Sequence, residues 1–197
     1  METTKQVILV LFSAILMVGM TLAGMSSLKV DASTTVSWNF KNTSFKNLGT
    51  ISSTTTVDGL TLVATDSLTM QVKAKNATVS GTDYTYALAL SGRGNQSGKA
   101  VKVPVSGNDV IKVTLQSSSS TDARTLIVAD SAGNQLTTIS AGTTASTQSY
   151  TYTGGGDAIL LYSQDSGIDI FKIQVDSNGT SKYINYNNLR YFCNQHI

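Results

Sequence analysis

Between Val36 and Val175 apolar and polar residues alternate in short runs. In "KAVKVPV" Val101, Val103 and Val105 fall on one side and Lys102 and Pro104 on the other. In "DVIKVTLQ" Ile111, Val113 and Leu115 alternate with Lys112 and Thr114, and in "YTYALAL" Tyr84, Tyr86, Leu88 and Leu90 share a face. Period two marks strands with one face turned to a core. Turn-rich pieces such as "VDG", "SGRGNQSG", "DSAGN" and "TGGGD" separate the runs. No window after the first segment keeps a helical period. The pattern predicts an all-β chain, a sandwich or a barrel, and the fold expected is an antiparallel two-sheet β-sandwich. In "IDIFKIQV" the same alternation puts Phe171, Ile173 and Val175 on one face, pointing into the core. "VSWNF" should lie beside that strand, because the ends of a compact domain tend to be neighbours. Pro104 has no amide donor, so its strand is expected at an edge or with a bulge.

The run "SSSSTD" looks like a linker but joins "DVIKVTLQ" to "RTLIVAD", two runs of like length and alternation. Neither side holds enough apolar residues for its own core. It reads as a loop inside one domain.

The ends differ from this body. Lys5 precedes an uncharged apolar run from Val7 to Met25, and Val30 and Ala32 stand at −3 and −1 of a cut before Ser33. That is the pattern of a secretory signal peptide. An uncleaved membrane anchor is the competing reading of the same run. Residues 177–197 lack alternation and read as a linker-like tail without structure, either a genuine short tail or the truncated or frameshifted end of a longer modular protein. The division is 1–32 signal peptide, 33–176 β-sandwich and 177–197 tail. The expected location is extracellular, with membrane contact only during export, and the expected state is a monomer.

Charge and chemistry narrow the function. The chain carries +2 overall, and cutting before Ser33 leaves that unchanged by removing Lys5, Lys29, Glu2 and Asp31. No dense basic stripe argues for nucleic acid. Cys193 is the single cysteine, so there is no internal disulfide and no cysteine-based metal site. Glu2 is the only glutamate and His196, next to last, the only histidine. Acid–base or nucleophilic catalysis would rest on Asp, Lys, Arg and Tyr alone. The glycine-rich turns precede no helix and are not phosphate cradles. A binding or scaffolding role follows, with no enzyme activity and no cofactor.

Three stretches carry a resemblance: "SWNFKNTSFKNLGTISSTTTVDGLTL", "SSSSTDARTLIVADSAGNQL" and "YTYTGGGDAILLYSQDSGIDIFKIQV". They are similar to noncatalytic β-sandwich modules attached to bacterial pectate lyases and related polysaccharide-degrading enzymes. The resemblance spans Val36 to Val175. It implies a carbohydrate-binding jelly roll whose partner is a plant cell-wall polysaccharide such as pectin, within or derived from a pectate lyase-type enzyme. Related modules carry cations on the strand seen here as "ALALSGRGN", so Ala87 and Ala89 depart from them. Arg93, Lys99 and Lys102 are the neighbours that would compensate.

The candidate sugar-binding residues are Arg93, Lys99, Lys102, Arg124, Tyr84 and Tyr86. Arg124 offers a planar fork for a carboxylate, or else pairs with Asp122 or Asp130. Trp38 is a core residue or a sugar platform. Asp165 and Asp169 flank Gly167 and are a candidate for structural Ca²⁺, which takes oxygen ligands. The competing function is a structural or adhesive surface domain with no sugar site.

Overall fold

The computed structural model describes residues 27–30, 33–177 and 182–185. In chain order the strands are β1 (Ser27–Val30), β2 (Thr34–Asn39), β3 (Thr50–Ile51), β4 (Thr55–Val57) and β5 (Leu60–Val63). Then come β6 (Met70–Val79), β7 (Thr82–Leu90), β8 (Ala100–Pro104), β9 (Val110–Ser117) and β10 (Arg124–Asp130). The last are β11 (Gln135–Ala141), β12 (Ser146–Thr151), β13 (Ala158–Ser163), β14 (Ile168–Ser177) and β15 (Lys182–Asn185). The helix described, α1, is the single turn Thr43–Lys46.

The main body, Ala32–Thr180, is a sandwich of two antiparallel sheets. One sheet runs β11-β10-β13-β8-β5-β4; the other runs β12-β9-β14-β7-β6-β3, with β2 also on β14. From β7 onward the chain repeatedly changes sheet, and the serine run 118–123 is one such passage, from β9 to β10. "VSWNF" and "IDIFKIQV" are paired neighbours, Trp38 opposite Ile173 and Val36 opposite Val175. The two-residue turn Ser80-Gly81 between β6 and β7 has positive φ at both positions. That suits the right-handed twist of a hairpin, and Gly81 adopts it at no steric cost.

Alternation places the core as expected. Val101, Val103, Ile111, Val113, Leu115, Leu88 and Leu90 are fully buried between the sheets. Burying each such side chain is worth roughly 1.5–3 kcal/mol against leaving it in water. Trp38 belongs to the same core, and its indole Nε1 donates to the Asp58 carbonyl at 2.8 Å. Phe45 of α1 closes one part of it, edge-on to Phe40 with ring centroids 5.2 Å apart.

Three expectations fail locally, the first being that Tyr84, expected on one face with Tyr86, Leu88 and Leu90, lies in a different cluster from them. Phe171 does not share the face of Ile173 and Val175. The register slips between Ile170 and Lys172, where β14 exchanges β7 for β2 as its neighbour. A bulge resets the alternation, so Ile168, Ile170, Ile173 and Val175 enter the main core. Phe171 instead packs in a separate cluster with Tyr84 and Ala87. Nor is β8 an edge strand: it lies between β13 and β5. Pro104 is tolerated because it is the last residue of β8, past Lys102, the last residue of β8 aligned with β5.

A second unit holds β1 and β15, an antiparallel pair with Val30 opposite Lys182. Most of the segments read as leader and tail lie outside the described residues. Within them β15, in the stretch expected to lack structure, has β1 as its partner, and a cut before Ser33 would take that partner away.

Candidate functional site

The sequence-derived candidates fall in three places. Arg93 is exposed on the loop between β7 and β8. Lys99, at the end of that loop, has φ +53° and donates to the Ser91 carbonyl at 2.6 Å. Lys102 is exposed on the outer side of the six-stranded sheet. Arg124 opens β10 beside the serine loop. Its Nη2 is 3.8 Å from Asp122 Oδ2, and its Nε is buried without a hydrogen-bond partner. The hydroxyls of Thr121 and Ser119 hold the Asp122 carboxyl below its ordinary range, with a smaller push from Arg124. Tyr84 and Tyr86 belong to the other sheet. Tyr84 is buried with its ring 5.6 Å from that of Phe171, and Tyr86 is half-buried against the main core.

Asp165 is exposed in the turn before β14, whereas Asp169 is buried on β14 itself. Among the described residues no three His, Cys, Asp or Glu side chains converge as metal ligands. Asp169 is met by a lysine instead.

That lysine leads to the outer face of the seven-stranded sheet. Residues adjoining core positions point the other way, so Lys73 beside Val72, Lys112 between Ile111 and Val113, and Lys172 beside Ile173 face outward. Asp169 does the same between Ile168 and Ile170, and Lys75 Nζ lies 3.3 Å from its Oδ2. These two come from strands that are not adjacent, since β7 lies between β6 and β14. Two strand spacings are about 10 Å. The ammonium bridges them over Ala87 and Ala89, the outward residues of β7 there, opposite Lys73 and Gln71. Ala89 also lies directly opposite Asp169. The positions where cations were missing are thus the clearance that lets cations of β6 in.

A polar ladder continues down β14. Lys172 Nζ donates to Gln174 Oε1 at 2.7 Å, and Gln174 Nε2 to Asp176 Oδ1 at 2.8 Å. Asp176 also accepts from Thr35 Oγ1 at 2.7 Å and pairs with Lys112 Nζ at 2.8 Å. These partners, Lys112 foremost, lower the Asp176 carboxyl to about 2. On β9 and β12 the hydroxyls of Thr114 and Thr147 meet at 2.9 Å.

At the far end of the β6–β7 hairpin a pocket of about 400 Å³ is lined by Asn76, Ala77, Thr78, Asp83, Tyr84 and Thr85. It exists partly because β6 carries an extra residue: Lys75 and Asn76 together face Thr85. Thr78 Oγ1 donates to Asp83 Oδ1 at 2.7 Å, and Lys41 Nζ to the Asp83 carbonyl at 3.2 Å.

Among the described residues, the outward positions of β6, β9 and β14 thus set four ammonium groups, Lys73, Lys75, Lys112 and Lys172, against two carboxylates, Asp169 and Asp176. Amides and hydroxyls fill the space between. This face can hydrogen-bond hydroxyls and pair with anions, and Tyr84, the aromatic residue that lines its pocket, is buried. Sequence reading missed it because each lysine is an ordinary outward residue of its own strand. Their grouping comes from strand order, although the repeated Lys in "MQVKAK" was a visible signal.

No family model and no curated protein matches the chain. Among solved structures it is similar to the CBM22-1 xylan-binding domain from Paenibacillus barcinonensis Xyn10C, at 14% identity over 77% of this chain and 99% of that one, with a TM-score of 0.47. A family two carbohydrate esterase from Cellvibrio japonicus matches at 10% identity over 78% of this chain and 36% of that one, with a TM-score of 0.36. A chain described under "CBM4 structure and function" matches at 9% identity over 76% and 86%, with a TM-score of 0.26. The sandwich assignment rests on the strand pairing of this chain itself.

Proposed function

We propose that this is a noncatalytic carbohydrate-binding domain that holds a polysaccharide against the outer face of its seven-stranded sheet. The preferred ligand is an acidic plant cell-wall glycan such as pectin. The observation that carries the reading is the excess of lysines over aspartates on one open, hydroxyl- and amide-rich face. A glycan chain presents hydroxyls along its length, and a polyuronate adds a regular row of carboxylates that such a face can pair with. Each exposed charge contact contributes only ~0.2–1 kcal/mol, so binding is weak, spread over several lysines and sensitive to salt.

On this reading the chain is exported, with the leader cut before Ser33, and serves as part of a larger polysaccharide-degrading enzyme of pectate lyase type. Arg93, Lys99, Lys102 and Arg124, on the loops and the opposite sheet, are alternative basic contacts. The test is affinity electrophoresis of the chain in gels containing polygalacturonate, xylan or cellulose. Retardation strongest on polygalacturonate supports the proposal. Retardation on none of the three overturns it in favour of a structural or adhesive domain.

A further inference from the structure

Asp169 is the most anomalous polar residue of the sheet face. Its side chain is only 2% exposed, yet its Oδ1 is buried without any hydrogen-bond partner. Its Oδ2 has one charged neighbour, Lys75 Nζ, at 3.3 Å. A buried carboxylate with an idle oxygen costs free energy, and that cost is ordinarily removed by a second donor. Lys75, for its part, is about one-third exposed and reaches this carboxylate only by stretching over Ala87 and Ala89. Asp176 on the same strand is the contrast, because both of its oxygens are engaged.

We propose that Lys75 and Asp169 form an exchangeable pair that reads a uronate unit. Its carboxylate takes Lys75, and a neighbouring ring hydroxyl donates to Asp169. This rests on the proposed polysaccharide role of the same face and names the chemistry read there. A neutral diol offers Lys75 only a hydroxyl where Asp169 gave it a full opposite charge, so it exchanges poorly. A uronate gives Lys75 a carboxylate in place of Asp169, while its ring hydroxyl donates its one proton to an oxygen of Asp169, so each ionised group keeps a charge-assisted contact. Lys73 and Lys172 nearby supply further positive field. Asp169 repels any carboxylate placed directly over it, so the uronate must lie with its acid toward β6 and its hydroxyl toward β14. The pair thereby sets ligand orientation as well as charge.

The test compares the full chain with Lys75→Gln by isothermal titration against polygalacturonate and against the same polymer methyl-esterified. Glutamine keeps a donor for Asp169 while removing the charge, and a thermal melt of each protein confirms the fold. Asp169→Asn, which lacks the acid but retains the shape, serves as the second variant. The wild type is expected to prefer the free acid by about fivefold. Lys75→Gln should bring the two polymers within about twofold of each other while leaving binding to the ester nearly unchanged. Asp169→Asn should weaken binding to both polymers, because a neutral amide oxygen replaces the charged acceptor of the hydroxyl. Equal loss on both polymers in Lys75→Gln, or no change in preference, overturns the exchange while leaving the face as a polysaccharide site. Binding of neither polymer by the wild type overturns the exchange together with the reading beneath it.

Discussion

Lys75 and Asp169 meet at 3.3 Å across a strand that belongs to neither of them. The contact depends on what β7 leaves out. With Ala87 and Ala89 at its outward positions, the lysine side chain passes over the strand. Any longer residue there stands in its way.

Ala89→Leu should therefore destabilise the fold by roughly 1–3 kcal/mol, by crowding the face and leaving Asp169 buried beside a displaced partner. Thr85→Leu, on the same strand but exposed, should stay within about 0.5 kcal/mol. Denaturant unfolding of both variants is the check. Ala89→Leu matching the wild type would show that the ion pair needs no clearance.

The bulge in β14 makes a packing prediction. Phe171 belongs with Tyr84 rather than with Ile173, so Phe171→Ala and Tyr84→Ala should be coupled in a double-mutant cycle by roughly 0.5–1.5 kcal/mol. Phe171→Ala and Ile173→Ala should come closer to additive. Stronger coupling of the second pair than of the first would return Phe171 to the main core.

Asp176 contributes a pH dependence. Its carboxyl is depressed to about 2 in the folded chain from an ordinary value of 3.8. The stability it adds is complete above pH ~4 and is lost as the pH falls from there through about 2. In Asp176→Asn the unfolding free energy should fall less steeply over that window than in the wild type. Parallel curves for the two proteins would contradict the assignment of Lys112, Thr35 and Gln174 as its partners.

Trp38 is the only tryptophan and lies in the core, with its indole nitrogen engaged by Asp58. Its fluorescence should be blue-shifted in the free protein and unmoved by added polygalacturonate. A ligand-dependent shift would make it a sugar platform.

The sequence disclosed the sandwich because burial in a strand leaves a mark at every second residue, as in Val101, Val103 and Val105. It misplaced Phe171 because a bulge leaves no mark: the letters keep alternating while the backbone slips by one. It misjudged Pro104 because an amide is needed only where a neighbour strand accepts from it, and β8 ends there. The site was harder still. Lys73, Lys75, Lys112 and Lys172 sit on three strands far apart in the chain, and only strand order in the sheet puts them on one face. The two alanines looked like a loss because their meaning depends on what lies on β6 and β14.

The most direct measurement is retardation on polygalacturonate at low and high salt for three proteins. These are the wild type, Lys73→Ala/Lys172→Ala on the sheet face, and Lys102→Ala/Arg124→Ala on the opposite sheet. The account predicts retardation of the wild type that fades as salt rises, a clear reduction in the sheet-face variant, and little change in the other. Salt-independent binding, or loss confined to the Lys102 and Arg124 variant, would contradict it.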